Sequence, residues 1–342
     1  MTLPGLDLAA LQPWFAAAVP GSGELRAELV HGGRSNLTYR LTDGTGTWVL
    51  RRPPLGALNP SAHDMGREYR VVAALAETDV PVAPAVARCD DAAVLGVPFT
   101  VVGWVDGRVV RTADELDALS TAEVQRCAFG LVEVLGRLHA VDAAAVGLAD
   151  YGRAQGYLGR QIRRWNDQWA RIATRDLPDI DTLHARLAGA CPPEAGASIV
   201  HGDFRIDNTI LDPADPGTVR ALVDWEMATL GDPLADLGLH LAYADPALDP
   251  VLGGKAAATS PRMPGREALT RHYATATGRD PDALVEGLAF YVGLGYFKAA
   301  VIAEGIHARH VRGESVGRGY ELVGGAVAPL AAAGIAALDG SG

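Results

Sequence analysis

The chain has 342 residues, of which 49% are hydrophobic and 21% are charged, and this excludes a wholly disordered protein and a single small domain. Its 30 lysine and arginine residues against 41 acidic residues give a net charge of −11, so we expect no general attraction for nucleic acid. Three cysteines without metal spacing, and no signal-peptide pattern before Phe15, predict a reducing, cytoplasmic setting.

The first hundred or so residues carry the alternation of apolar and polar residues that is typical of strands. One helix is expected before them, and a second interrupts them with an apolar stripe that includes Met65 and Val72. The turn signal Asp43–Gly46 separates two of the strands. In chain order we predict a helix at 8–19, strands at 25–30, 37–42 and 47–52, a helix at 61–77, and strands at 85–88 and 99–105.

Helical periodicity replaces this alternation beyond Gly107, and predicts helices at 121–141 and 156–173 and through the C-terminal part of the chain. The change predicts an N-terminal lobe of residues 1–102 and a C-terminal lobe of residues 103–342. The loop from Pro246 to Pro264 is either an acceptor-side lid or a disordered connection. The apolar stretch 322–338 contains glycines and a proline, so we expect a packed helix and no membrane span.

The clearest motif is VHGDFRIDNTILD at 200–212, followed by LVDWE at 222–226. Asp203 can accept the proton of an attacking hydroxyl, while Asn208 and Asp224 offer oxygen ligands to Mg²⁺. The three residues follow apolar runs in order, which places base and metal ligands on one loop and a neighbouring strand. The pattern indicates phosphoryl transfer. A phosphohydrolase that binds metal through His201, Asp203 and Asp224 is the alternative, but it leaves the N-terminal features below unexplained.

A glycine-containing loop between two strands, with Gly33, Ser35 and Asn36, can bring backbone N–H groups close to phosphates. On the strand at 47–52, alternation points either Arg51 or Arg52 inward. The helix at 61–77 carries Glu68 beside its apolar stripe, where a carboxylate needs a partner. Arg51 and Glu68 are the natural ion pair, which would direct the guanidinium of Arg51 at phosphates. Arg52 is the alternative phosphate-binding residue.

With these motifs the sequence resembles the aminoglycoside phosphotransferase family of kinase-like enzymes, over about residues 25–320. The segments HGDFRIDN, LVDWE and GDPLADL carry the resemblance. GGRSNLTYRL, WVLRRPP and REYRVVAAL are most similar to the kinase-like domains found fused to acyl-CoA dehydrogenases. The resemblance implies an α+β, bilobal, protein-kinase-like fold, with a small antiparallel sheet and one helix in the N-terminal lobe and a larger, mainly helical C-terminal lobe.

The resemblance also implies roles for the matching residues. Asp203 would be the catalytic base and Asn208 and Asp224 the Mg²⁺ ligands, while Arg51 would replace the usual phosphate-binding lysine. The strand 99–105 would be the hinge whose backbone holds adenine. The residues implied to bind the nucleotide are Gly33, Ser35, Asn36, Arg51, Glu68, Val102 and Trp104, and His201 and Asp236 would support the catalytic loop.

The expected function is transfer of the γ-phosphate of ATP, with Mg²⁺, to a hydroxyl of a small hydroxylated metabolite, for which a hydroxyacyl compound is one candidate. An aminoglycoside kinase and a nucleotide-binding pseudokinase are the alternatives, the latter because Arg51 replaces lysine. Only twelve positions separate Asp224 from Asp236, too few for an activation loop, so a protein kinase is not expected. No nucleic acid or membrane partner is expected. Six further residues could line an acceptor pocket or simply pack: His240, Tyr243, Tyr296, Lys298, Glu304 and His307.

Overall fold

The computed structural model describes residues 3–30, 36–55, 64–315 and 319–340. The loop residues Gly33 and Ser35 lie outside these ranges. The strands are β1 Arg26–Leu29, β2 Leu37–Thr42, β3 Thr47–Arg52, β4 Ala85–Cys89, β5 Phe99–Gly103, β6 Ser198–Val200, β7 Thr209–Leu211, β8 Val219–Leu222 and β9 Thr229–Gly231.

Helices within these ranges fall into a few that pack on the N-terminal sheet and a larger C-terminal group. The helices are α1 Leu8–Ala18, α2 Met65–Leu75, α3 Ala92–Leu95, α4 Ala113–Asp117, α5 Thr121–Ala140, α6 Tyr157–Ile172, α7 Pro178–Gly189, α8 Pro233–Ala242, α9 Asp249–Leu252, α10 Arg266–Thr277, α11 Pro281–Gly287, α12 Ala289–Val311, α13 Tyr320–Val323 and α14 Val327–Leu338.

The N-terminal sheet is antiparallel throughout, in the order β1–β2–β3–β5–β4. Strands β2 and β3 have the predicted bounds, whereas β5 ends at Gly103, two residues before the predicted end at Val105. Beyond that point the chain leaves the sheet after one last backbone bond, from the N–H of Trp104 to the carbonyl of Thr47 at 3.1 Å. The alternation in β3 survives, so Arg51 and Arg52 lie on opposite faces.

One face of the sheet packs on α1, whose Leu11 and Phe15 are fully buried with Tyr39 and Leu50. Helix α1 begins where Asp7 accepts hydrogen bonds from the N–H groups of its first turn. Arg52 lies on this side, where its guanidinium donates to the backbone carbonyls of Gly5 and Leu95. These backbone bonds keep Arg52 away from the opposite face of the sheet.

Helix α2 belongs to the other side, and its Val71, Val72 and Leu75 join the core shared with the C-terminal part. It begins at Met65 because Asp64 caps the N–H of Arg67 at 3.0 Å. The predicted helix extended from 61 to 77, whereas α2 in the structure ends at Leu75. Residues 61–63 lie outside the described ranges.

The C-terminal part is mainly helical and is built around α12, which packs against α6, α8 and α14. Close packing with α8 requires Gly238, because a Cβ there would overlap the backbone of Tyr291. By length and composition, α12 and the segment 320–338 are the two described stretches apolar enough to cross a membrane. In α12, 72% of that apolar window is buried, as in the core helix of a folded domain.

Two short antiparallel strand pairs, β6 with β9 and β7 with β8, carry the motif residues at their ends. The loop from Pro246 to Pro264 contains a turn at Pro246–Leu248 and the short helix α9. It is fixed to the segment after β5, since Thr112 and Ala256 form a β-bridge and the N–H of Ala257 bonds the carbonyl of Arg111 at 2.9 Å. The loop therefore borders the cleft between the two lobes.

Candidate active site

The turn after β6 is held from below by Asp236 of α8. Its carboxylate accepts the backbone N–H groups of His201 at 2.5 Å and Gly202 at 2.8 Å. Gly202 has φ 81°, a left-handed conformation that favours glycine, and a Cβ there would press on the backbone of Met227. Asp236 is buried and its pKa stays below the usual range, because hydrogen bonds from His139 and Gly202 and nearby histidines outweigh burial. The loop that presents Asp203 is thereby anchored to α8.

Both oxygens of the Asp203 carboxylate have defined partners. Oδ1 accepts a hydrogen bond from the hydroxyl of Tyr243. Oδ2 accepts one from Asn208 Nδ2 at 3.0 Å and lies 3.3 Å from Arg205 Nε. Burial would raise the pKa of Asp203, but Arg205, Tyr243 and Lys298 together hold it below the usual value. The carboxylate is therefore ionised at neutral pH and can accept a proton.

Asn208 and Asp224 lie side by side because the two short strands after the loop pair. Asn208 ends a 3₁₀ turn at Ile206–Asn208, and its carbonyl accepts the N–H of Val223 at 2.9 Å. Its amide nitrogen also bonds the carbonyl of Asp203 at 2.8 Å, which orients the side chain. Asp224 has φ 68°, the one positive φ among the described non-glycine residues. Such a conformation is costly and is often found at functional sites.

Asn208 and Asp224 suit Mg²⁺ through their donor chemistry. An amide oxygen and a carboxylate are hard oxygen ligands, and Mg²⁺ usually takes one or two protein ligands together with phosphate oxygens and water. Among the described residues, no three His, Cys, Asp or Glu side chains form a cluster that would hold a metal alone. The residues present therefore fit a metal that arrives with a nucleotide.

Arg51 joins three parts of the site. Its guanidinium pairs with Glu68 of α2 through one nitrogen and with Asp224 Oδ1 at 3.0 Å through the other. These two carboxylates raise the pKa of Arg51 against the effect of its burial. Burial raises the pKa of Glu68, and the adjacent Arg51 opposes this. Of the two arginines left open by the sequence, Arg51 faces the cleft.

These residues line one cavity of about 740 Å³ between the lobes. Val102 and Trp104 border it at the end of β5, beside Val49 and Leu222, so its wall there is largely apolar. Asn36 is buried nearby, and its side-chain amide donates to Glu226 at 3.3 Å. The predicted residues that fall in the described ranges are thus brought to one cleft. Their assigned roles remain predictions.

The six additional candidates do not line this cavity. Tyr243 bonds Asp203 instead, and Lys298 donates to the carbonyl of Gly202 from behind the loop. Glu304 is fully buried and accepts hydrogen bonds from Thr174 and Arg175, which makes it a structural residue.

Sequence reasoning left Arg205 and Asp207 unassigned, although both stand inside the quoted motif. They form an ion pair, and both line the cleft. Their alternation with Asp203 in the sequence is the signal that could have identified them.

Comparison with known proteins identifies the family of the chain. The model of the phosphotransferase enzyme family, APH, matches residues 26–271. Acyl-CoA dehydrogenase family member 11 of Gallus gallus is 34% identical over 339 residues, covering 96% of this chain but 43% of that protein. The chain therefore spans less than half the length of this curated relative.

Solved structures show the same fold. A Ralstonia eutropha protein described as a candidate aminoglycoside phosphotransferase has a TM-score of 0.82 and 34% identity, over 98% of both chains. The streptomycin–ATP complex of APH(2")-IIa has a TM-score of 0.60 and 17% identity, over 92% of this chain and 96% of that one. The bilobal, kinase-like α+β fold is thus confirmed. Since the family model matches well over half of its length, the chain belongs to the phosphotransferase enzyme (APH) family.

Proposed function

We propose that the chain transfers the γ-phosphate of ATP, with Mg²⁺, to a hydroxyl of a small hydroxylated metabolite. One observation carries the proposal: Asp203, Asn208, Asp224 and the Arg51–Glu68 pair line a single cavity. A base, two hard oxygen ligands and a phosphate-binding cation are the parts that phosphoryl transfer requires. No other described cleft combines them.

The nucleotide would occupy the side of the cavity below β3 and β5. Val49, Val102 and Leu222 supply an apolar surface for an adenine ring, and Arg51 supplies positive charge for phosphate oxygens. A structure of the same fold holds ATP, which supports ATP as the donor. In this proposal Arg51 keeps its pair with Glu68 and exchanges Asp224 for phosphate.

Asn208 and Asp224 would hold Mg²⁺. When bound, the metal supplies positive charge that neutralises the phosphates and favours departure of ADP. Asp203 accepts the proton of the acceptor hydroxyl while the hydroxyl oxygen forms a bond to the γ-phosphorus. The bond between that phosphorus and the bridging oxygen of ADP breaks. Arg205 lies beside Asp203 and can contact the transferring phosphoryl group.

The names of the curated relatives support a hydroxyacyl compound as the acceptor. They are acyl-CoA dehydrogenase family members of which this chain corresponds to one part, and a kinase attached to such an enzyme would act on related acyl compounds. The aminoglycosides bound to structures of the same fold keep antibiotic phosphorylation as an alternative.

A screen with γ-labelled ATP tests the proposal. Wild-type protein, Mg²⁺ and a metabolite extract are expected to yield a labelled compound, and Asp203→Ala is expected to reduce that labelling by roughly 10²–10⁴-fold. Asp176→Ala, which changes an exposed carboxylate, is the matched control. Equal labelling by wild type and Asp203→Ala would refute the proposal.

A pseudokinase is the second candidate, because Arg51 replaces the lysine of related kinases and also pairs with the predicted metal ligand Asp224. Calorimetry separates the two functions. A phosphotransferase is expected to bind ATP more tightly with Mg²⁺ than without it. ATP binding that ignores Mg²⁺, together with no transfer to any hydroxyl compound, would favour the pseudokinase.

A further inference from the structure

The charged groups of the cleft are unevenly paired. Its lining contains five carboxylates, and all belong to the catalytic region: Glu68, Asp203, Asp207, Asp224 and Glu226. Arg51 pairs with two of them and Arg205 with two others. Two further cations line the same cavity, Arg111 and Lys255, and neither forms an ion pair with any residue that the structure describes.

Arg111 and Lys255 are neighbours because of the β-bridge between their segments. The N–H of Ala113 bonds the carbonyl of Lys255 at 3.0 Å, and that of Ala257 bonds the carbonyl of Arg111. Two carboxylates on these segments already have partners: Glu115 accepts the backbone N–H groups of Arg111 and Thr112, and Asp249 accepts the N–H of Ala256 at 3.0 Å. Both cationic side chains are exposed, and the apolar residues Val109, Val251, Leu252 and Ala256 lie around them.

Arg111 and Lys255 line the same cavity as Asp203. Asp207 and Arg205 line this cavity as well. Asp207 pairs in turn with Arg205, which contacts Asp203. A molecule whose hydroxyl approaches Asp203 can therefore extend past Arg205 to Arg111 and Lys255 within one cavity.

We propose that Arg111 and Lys255 form an anion-recognition subsite for a carboxylate or phosphate carried by the acceptor, remote from the hydroxyl that receives the phosphoryl group. The proposal rests on the phosphotransferase function proposed above and names its substrate class. Two unpaired cations on an apolar wall attract an anion and repel a polycation. Among the described lining residues, the carboxylates that could bind the amino groups of a polycationic aminoglycoside all belong to the catalytic cluster.

Binding tests the subsite without requiring turnover. Calorimetry in the presence of Mg-ADP would compare two anionic probes, 3-hydroxybutyrate and coenzyme A, with neutral 1,3-butanediol and cationic kanamycin. We expect the wild-type chain to bind at least one anionic probe more tightly than butanediol or kanamycin. Arg111→Glu with Lys255→Glu should weaken that binding by about tenfold or more, and leave ADP binding unchanged. Arg163→Glu with Arg171→Glu, an equal charge change on exposed arginines of α6, is the control.

The probe affected identifies the source of the anion: 3-hydroxybutyrate indicates the carboxylate of a free acid, and coenzyme A indicates the phosphates of a thioester carrier. Failure of both anions to bind, unchanged binding in the Arg111/Lys255 variant, or tighter binding of kanamycin would overturn the subsite. Asp203→Asn separates the two proposals. If it abolishes transfer while the Arg111/Lys255 variant binds anions normally, the subsite alone is wrong. If it leaves transfer intact, the phosphotransferase function itself is wrong.

Discussion

The phenol of Tyr243 donates a hydrogen bond to Oδ1 of Asp203, across 40 positions of sequence. Tyr243 caps the C-terminal end of α8, the helix whose Asp236 binds the backbone of His201 and Gly202. One helix therefore fixes both the backbone of the catalytic loop and the carboxylate that it presents. Burial and the adjacent Asp203 raise the pKa of Tyr243 well above its usual value, so the phenol remains a donor.

Tyr243→Phe should lower kcat by about tenfold with little change in the KM for ATP. The substitution removes one hydrogen bond to a charged group, worth about 1.5–3 kcal/mol, and frees the carboxylate to rotate. Steady-state kinetics with the labelled acceptor would measure it. Tyr296→Phe is the matched control, because it removes a hydroxyl that bonds Asp245 at 3.0 Å and lies outside the cleft. An unchanged kcat in Tyr243→Phe would show that Asp203 needs no such support.

Arg51→Met should destabilise the fold by about 3–5 kcal/mol, because it leaves Glu68 buried without its partner. Arg51→Lys keeps a positive charge at this position and should cost much less. Urea unfolding of both variants would give the two free energies. Equal stability of Arg51→Met and wild type would mean that Glu68 is neutral or solvated in the folded protein.

Gly238→Ala should destabilise the C-terminal lobe by about 1–3 kcal/mol or more, since its Cβ would overlap the backbone of Tyr291 where α8 meets α12. Gly189→Ala, at the end of α7, is the control. A Cβ at Gly189 meets open space, so the higher helix propensity of alanine should leave stability equal or raise it by about 0.5–1 kcal/mol. Thermal unfolding distinguishes the two, and similar melting of both variants would contradict the close helix contact.

Stability should fall as the pH drops from about 6.5 to 4, in part because of His240. Burial lowers the pKa of His240 to about 4. The unfolded chain therefore takes up a proton first, so protonation increasingly favours the unfolded state as the pH falls below about 6.5. The resulting loss in the free energy of unfolding is about 3 kcal/mol at most. Urea titrations at several pH values should show a shallower decline in His240→Gln than in wild type, and an equal decline in both would contradict this role of His240.

The N-terminal strands and the motif residues could be predicted because their signals are local. Alternation in β2 and β3 marks both strand bounds, and the spacing from Asp203 to Asn208 defines one loop. Assignment of Arg51 to the cleft needed the structure. Alternation shows that Arg51 and Arg52 face opposite ways, but only the packing of α1 shows that Arg52 bonds backbone on the other side.

The contacts that support Asp203, the proposed base, could not be read from the sequence, because they join distant segments. Tyr243 stands out only as a polar residue near a helix end, and Lys298 lies in a long apolar helix. The proposed subsite of Arg111 and Lys255 depends on a β-bridge between Thr112 and Ala256, for which local periodicity gives no signal. The sequence did not decide whether the segment from Pro246 to Pro264 is a lid or a disordered connection. In the structure this segment packs along the cleft through the same β-bridge.

The most direct measurement is the single-turnover rate of γ-phosphate transfer from Mg-ATP to the labelled acceptor by wild type and Asp203→Asn. The substitution keeps the size of the side chain but removes its ability to accept a proton. The predicted result is a rate lower by roughly 10²–10⁴-fold with ATP still bound. Transfer at the wild-type rate would contradict the assignment of Asp203 as the base, and with it the proposed phosphotransferase site.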